Sequence, residues 1–250
     1  MVERAARASV ATFLASGELV AGRTTTLGES EAHHARVRRI APGDRIQLVD
    51  GAGRVARGVL LKLAKTQAMV QVDAVDHAEP LPEIHLMVPI ADRDRMLWLA
   101  EKATELGVSS WRPALWRRSR SVSPRGEGVT FQAKVRSRMA SALTQSGGAW
   151  LPMLYPDATL DRAIAASPAG ARFLLDAAGE PLLSQPFATP VMIAVGPEGG
   201  IEAEERETLV AAGFTPVSLG DMTLRFETAA VAALAICRSA LAAHLENARG

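Results

Sequence analysis

The chain has a single cysteine, Cys237, in 250 residues. A lone thiol excludes a disulfide framework and a cysteine-based zinc site. Histidine is also scarce: His33, His34, His77, His85 and His244 show no metal-ligand spacing, and the adjacent His33 and His34 project to different sides of a helix or strand. No run of roughly 18 apolar residues stands out, so no transmembrane helix is expected. The N-terminal MVERAARASVATF lacks the apolar core of a signal sequence. The nucleophile and metal motifs GxSxG, HExxH and SxxK are missing, which weakens hydrolase and metalloenzyme readings. Neither GxxxxGK[ST] nor GxGxxG occurs, and there is no internal repeat or low-complexity tail. A soluble cytoplasmic protein without metal or membrane partner is expected.

What is present is enough apolar sequence, 48% of residues, to bury one large core or two smaller ones. The formal net charge of +1 hides an asymmetry. Residues 1–80 carry 11 Lys and Arg against 9 Asp and Glu; residues 81–150 carry 11 against 6; residues 151–250 carry 6 against 12. The stretch from Arg112 to Arg138 holds eight cations against one acid, Glu127, and seven of the eight are Arg. A local basic patch on a nearly neutral chain points to a polyanion, with a solvated face as the plain alternative, and the preference for Arg favours phosphate and base stacking.

The rhythm of the sequence predicts two domains, residues 1–79 and 80–250, joined near Glu79-Pro-Leu-Pro. In the first, strands are expected over 44–49, 55–63 and 68–75, with Asp50-Gly51 as a hairpin turn and one helix from Ser30 to Ile40; a small barrel fits. In the second, strands over 84–90, 109–116, 172–176, 191–195 and 217–219 alternate with helices over 92–106, 129–146, 160–166, 201–212 and 227–246. That alternation predicts an α/β domain with a parallel sheet covered on both faces.

The strongest local signal is Val191-Met-Ile-Ala-Val195 running into Gly196-Pro197-Glu198-Gly199-Gly200 and a helix. Ligands of parallel sheets sit at the carboxyl ends of strands, and glycine lets a backbone approach them closely. Glu198, Glu202, Glu204 and Glu205 surround the turn, and no Lys or Arg falls between Val191 and Glu205, which argues against phosphate despite the helix N-terminus. A nucleoside ligand bearing a cation, S-adenosylmethionine above all, fits better; the acids alone also complement the helix dipole. A second loop, Leu219-Gly220-Asp221-Met222-Thr223-Leu224, leads into Arg225, Glu227 and Thr228. Glu101 and Glu105 lie one helical turn apart, a pair more often solvated than catalytic, and Gln145 and Ser146 close the basic helix, where they can donate to RNA or cap.

Together, Glu101-Lys-Ala-Thr-Glu-Leu-Gly-Val108, Arg118-Ser-Arg120-Ser-Val122, Gln145-Ser146-Gly147, Gly196-Pro-Glu-Gly-Gly200, and Leu219-Gly220 with Leu224-Arg225-x-Glu227-Thr228-Ala229 resemble, in order and spacing, the ribosomal RNA small subunit methyltransferase E family. His34-Ala-Arg36-Val-Arg38-Arg39 through Asp50-Gly51 resembles its PUA-like domain, and the likeness spans nearly the whole chain. It implies a SPOUT fold whose C-terminal part threads a trefoil knot, S-adenosyl-L-methionine as cofactor, a homodimer built on the final helix, and methylation of N3 of a uridine near the 3′ end of 16S rRNA in the 30S subunit. By motif match the cofactor residues are Val195, Gly196, Pro197, Glu198, Gly199, Gly200, Leu219, Gly220, Met222, Thr223, Leu224 and Thr228, with Leu175 for the adenine pocket. Thr144, Gly148 and Phe226 depart from the family pattern.

Uracil N3 carries a proton that must leave before or during attack, so a base or an anion-stabilising cation is required. Arg225 is the candidate cation, and Glu101 and Glu227 are candidate bases. RNA contacts are expected from Arg36, Arg38 and Arg39, from Arg112, Arg117, Arg118, Arg120, Arg136 and Arg138, and from Gln145 and Ser146. Because N3 lies on the pairing edge, the uridine must be unpaired or flipped. Two rivals stand beside this reading: an RNA-binding module without cofactor affinity, and a SPOUT enzyme acting on transfer RNA.

Overall fold

A computed structural model describes residues 10–119 and 128–247, the last four by backbone only. Arg120, Arg125 and Glu127 therefore lie outside the described residues. The chain divides into two compact units: residues through Pro80 with Leu143–Leu151, and Leu81–Ala142 with Pro152 onward.

The first unit is a mixed five-stranded sheet, in which β1 (Thr12–Leu14), β2 (Thr24–Leu27), β3 (Arg45–Val49), β4 (Arg54–Leu63) and β5 (Ala68–His77) are ordered β1-β3-β4-β5-β2. Only the β1–β3 pair is parallel. Alternation drives it: Ile46 and Leu48 from β3, Leu60 from β4 and Val70 and Val72 from β5 enter one core with Phe13 and Leu27. Helix α1 (Glu29–Val37) adds Ala32 and Ala35. It starts one residue ahead of the expected Ser30, with Gly28 at its N-cap. The β3–β4 connection is longer than an Asp-Gly pair. It runs through residues 50–53, where Asp50 Oδ1 accepts from the Ala52 and Arg54 amides at 2.7 and 3.0 Å.

The second unit holds a wholly parallel seven-stranded sheet. Its strands are β6 (Ile84–Pro89), β7 (Ser110–Leu115), β8 (Met153–Leu154), β9 (Ala158–Thr159), β10 (Ala171–Pro181), β11 (Val191–Ala194) and β12 (Thr215–Ser218). The order is β12-β10-β11-β6-β7-β8, with β9 also on β7. Every residue of β6 and β11 is buried, as expected for strands covered on both faces. The helices are α2 (Arg93–Glu105), α3 (Gly128–Ser146, whose residues from Leu143 onward are counted with the first unit), α4 (Leu160–Ala165), α5 (Ala203–Ala211) and α6 (Phe226–Asn247). Leu160 and Ala163 of α4 and Leu209 of α5 meet Met87, Leu174, Met192 and Ala194 of the sheet. Helix α6 packs on α2, β6 and β11.

Two features decide where a ligand can sit. The ladder between β10 and β12 slips, so that Leu175 and Glu180 both pair with Val217 and residues 176–179 loop out at the strand end. The chain then leaves β11, forms α5, returns as β12 on the far side of β10, and doubles back as α6 across β6 and β11. Within α6, Phe226–Ala243 is long and apolar enough, by length and composition, to cross a membrane, which corrects the expectation that no segment has that character. Ala230, Ala233, Leu234, Cys237 and Leu241 are buried in the unit. Arg238 ties the helix down by donating to the carbonyls of Pro82, Leu106 and Gly107 at 2.7, 3.1 and 2.6 Å.

Candidate active site

At the carboxyl ends of β10, β11 and β12 lies a cavity of about 760 Å³, within the range of small-molecule sites. Three chain segments make it. The first is the looped-out end of β10, Leu175 to Ala178; the second is Val195 to Glu198 with Gly200 and Ile201; the third is Val217 to Gly220 with Met222 to Phe226 and Ala229. Arg95 and Arg206 complete the wall.

The Gly-rich turn is shaped by close packing. Val195 N–H continues the β11 ladder to the Met87 carbonyl at 3.0 Å, and Gly200 N–H closes the turn onto the Pro197 carbonyl at 2.9 Å. A Cβ at Gly196 would stand 2.4 Å from Ile201 Cγ1, and one at Gly199 would stand 2.9 Å from Arg118 Cβ. Glu202 is the N-cap of α5 rather than part of its first turn, and Glu205 reaches back to accept the Glu202 amide at 3.1 Å.

Sequence proximity suggests an acidic turn without cations; folding brings cations to it from distant segments. Arg95, from the first turn of α2, pairs with the carboxylate of Glu198, and its Nε lies 3.8 Å from Glu227 Oε1. Arg118 donates to the Gly199 carbonyl at 3.0 Å and pairs with Glu202. Arg225 and Glu227, neighbours in sequence, form no ion pair with each other: Arg225 lines the cavity exposed, whereas Glu227 is buried and its Oε2 has no hydrogen-bond partner. A further pair, Arg206 with Asp176, sits in the wall, and Asp176 also accepts the Ala178 amide at 3.0 Å. Burial pushes the Asp176 carboxyl up, but the hydrogen bonds from Arg206 and Ala178 outweigh it and hold the group below the ordinary carboxylate range.

The expected cofactor residues Leu175, Val195 to Glu198, Gly200, Leu219, Gly220 and Met222 to Leu224 all line the cavity; Gly199 and Thr228 adjoin it without lining it. Glu101 does not line it. Its carboxylate takes Lys102 Nζ at 2.8 Å and Arg138 at 3.3 Å, and the Lys102 hydrogen bond lowers its pKa, which makes it a poorer base. Arg95, Asp176 and Arg206 were not legible as site residues.

Among the expected RNA contacts, Arg112 requires correction. It is buried, donates to Ser110 Oγ at 2.9 Å and to the Ala166 carbonyl at 2.8 Å, and lies 3.8 Å from the centre of the Tyr155 ring. A central parallel strand has no solvated face, so its guanidinium is committed inside. Arg117 and Arg118 meet the acids at the start of α5 instead of standing free. Arg136 and Arg138 are exposed on α3, and Arg36, Arg38 and Arg39 are exposed in the first unit, where Arg36 donates to the Lys65 carbonyl at 3.0 Å. Gln145 and Ser146 are exposed at the end of α3, where Ser146 Oγ donates to the Leu143 carbonyl at 3.3 Å. Arg120 lies outside the described residues.

An S-adenosylmethionine fits these walls. Leu175, Val195, Val217, Leu219, Leu224 and Phe226 offer apolar surface for an adenosine, while the lining carboxylates Asp176 and Glu198 are each paired with an arginine of the same wall.

Residues 77–238 match the RNA methyltransferase domain family, and residues 27–73 match the RNA methyltransferase PUA domain. The ribosomal RNA small subunit methyltransferase E of Mycobacterium bovis is 32% identical over 219 residues, covering 83% of this chain and 82% of the relative. The crystal structure of the enzyme of that name from Neisseria gonorrhoeae, bound to S-adenosyl methionine, superposes with a TM-score of 0.83 at 28% identity over 92% of this chain and 98% of the other. A Legionella pneumophila methyltransferase in complex with the same cofactor gives a TM-score of 0.83 at 26% identity, with the same coverage of both chains.

Proposed function

The chain belongs to the RNA methyltransferase family, with that family's own PUA domain ahead of the catalytic one, and from this premise we propose that it methylates N3 of a uridine near the 3′ end of 16S rRNA, within the 30S subunit, in the cytoplasm and as a homodimer. The observation that carries the reading is the cavity at the carboxyl ends of β10, β11 and β12, where the Gly196–Gly200 turn and the 219–224 loop face each other. A pure RNA-binding module has no need of such a pocket.

S-adenosylmethionine, when bound, supplies a methyl group on a sulfonium. The chain must then do two things: orient the uracil in line with that methyl and remove the N3 proton. Glu227 is the candidate acceptor: it does not itself line the cavity, but it directly follows the lining residues Arg225 and Phe226, and its buried Oε2 has no hydrogen-bond partner. Arg95 Nε, 3.8 Å from the other oxygen, orients it. Arg225, exposed at the mouth, is placed to stabilise the uracil anion. Arg136 and Arg138 on α3 and Arg36, Arg38 and Arg39 on the first unit are the described arginines that hold phosphates. The exposed apolar residues of α6 supply the dimer contact.

The test is a transfer assay with methyl-labelled cofactor and three substrates: 30S subunits, protein-free 16S rRNA and bulk transfer RNA. Label is expected in the 30S subunits. Label in transfer RNA instead would favour the rival SPOUT activity.

A further inference from the structure

The turn Trp116 to Ser119 carries arginines that the sequence assigns to phosphate, yet it lies against the Gly-rich turn. We infer that Arg118 is a positioning residue of the cofactor site, holding the backbone from Gly199 to Glu202 in the shape that receives S-adenosylmethionine. The inference rests on the reading of that turn as the cofactor loop.

One guanidinium reaches two points. Its Nη1 donates to the Gly199 carbonyl at 3.0 Å, and its Nε pairs with the carboxylate of Glu202, the N-cap of α5. These points bracket Gly200, whose φ of 86° is accessible to glycine and strained for most other residues. A planar fork with several fixed donors suits such a span, whereas a lysine ammonium holds a single point.

The backbones are equally close. A Cβ at Gly199 would fall 2.9 Å from Arg118 Cβ and 3.2 Å from the Arg118 carbonyl oxygen. One residue earlier, the Arg117 amide donates to Glu205 Oε1 at 2.7 Å, while Oε2 of the same buried carboxylate accepts the Glu202 amide at 3.1 Å. The turn itself is closed by Ser119, whose amide donates to the Trp116 carbonyl at 3.0 Å and whose Oγ accepts the Trp116 amide at 3.1 Å. Residues 117 and 118 thus hold both the start of α5 and the glycine turn before it.

An exposed ion pair alone contributes little, and the Arg117 side chain illustrates it: it meets Glu204 where the two are 61% and 71% exposed. Arg118 differs because a charged donor is committed to a main-chain carbonyl of the loop, a stronger and more directional contact.

Isothermal titration of the full chain with S-adenosylmethionine, without RNA, tests this. Arg118→Ala and Arg118→Lys are expected to raise Kd about tenfold, the size of one lost charge-assisted hydrogen bond. Glu204→Gln should stay within about twofold, since an exposed pair is worth so little. The side chain of Arg118 is 52% exposed, so both of its variants should keep the parent melting temperature. In steady state KM for the cofactor should rise while kcat at saturation is retained; a residue that merely grips phosphate would raise KM for RNA instead. Both Arg118 variants binding like the parent would overturn the inference and leave the cofactor loop standing. A folded parent that binds no cofactor would overturn the loop reading beneath it.

Discussion

Arg225 differs from the other two arginines of the pocket. Arg95 and Arg206 are held by carboxylates, whereas Arg225 forms no ion pair among the described residues. A free cation at a reaction site is available to charge that develops there, so Arg225→Ala should lower kcat by about 10²-fold while changing the cofactor Kd by less than about threefold. Titration calorimetry beside a turnover assay separates the two effects. Cys237 gives a second expectation. It is buried, and desolvation pushes its thiol up to about 12; a thiol so rarely ionised reacts slowly. Alkylation by a thiolate-selective reagent at pH 8 should be negligible in the native protein and complete once it is unfolded in denaturant. At this scale the sequence disclosed the contiguous residues well and the distant partners poorly. The turn 196–200 and the loop 219–224 are legible because glycine and strand-end position mark them locally. Arg95 pairs with an acid 103 residues away and Arg118 with one 84 residues away, and no local pattern signals such meetings.

Most of the second unit's elements follow from periodicity, since buried parallel strands leave continuous apolar runs and α2 opens on an Asp92 cap that accepts the Arg95 amide at 3.1 Å. The misses have physical causes. β1 and β2 are three and four residues long, too short for alternation to show. β10 extends to Pro181 because its ladder slips at the end, and that slip places Asp176 to Ala178 in the pocket. Arg112 looks like an RNA contact in the sequence because a charged residue is seldom found in a covered strand. The tightness of the glycine turn yields an element-scale expectation. At Gly196 a methyl would meet Ile201 Cγ1 at 2.4 Å, so Gly196→Ala must displace either the turn or the Ile201 side chain. Cofactor affinity should fall at least about tenfold, by calorimetry, while the melting temperature drops by only a few degrees, as for other local overpacking.

For the whole molecule, α6 is the informative element. One face is buried in its own unit, and Val231, Ala232, Ala235 and Ile236 remain partly or fully exposed on a helix apolar enough to pass for a membrane span. An apolar face of that kind marks an association surface, and the homodimer proposed above would cover it. Light scattering after size exclusion should give twice the mass of one chain, and Ala235→Glu should give a monomer. The most direct test of the account is the position of the methyl group. Unmethylated 30S subunits, treated with this chain and S-adenosylmethionine, would be digested to nucleosides and to mapped RNA fragments and read by mass spectrometry. The account predicts one 3-methyluridine per subunit, in a fragment near the 3′ end of 16S rRNA. A methyl on a ribose oxygen or a different base, or no methyl transfer by a chain that binds the cofactor, would contradict it.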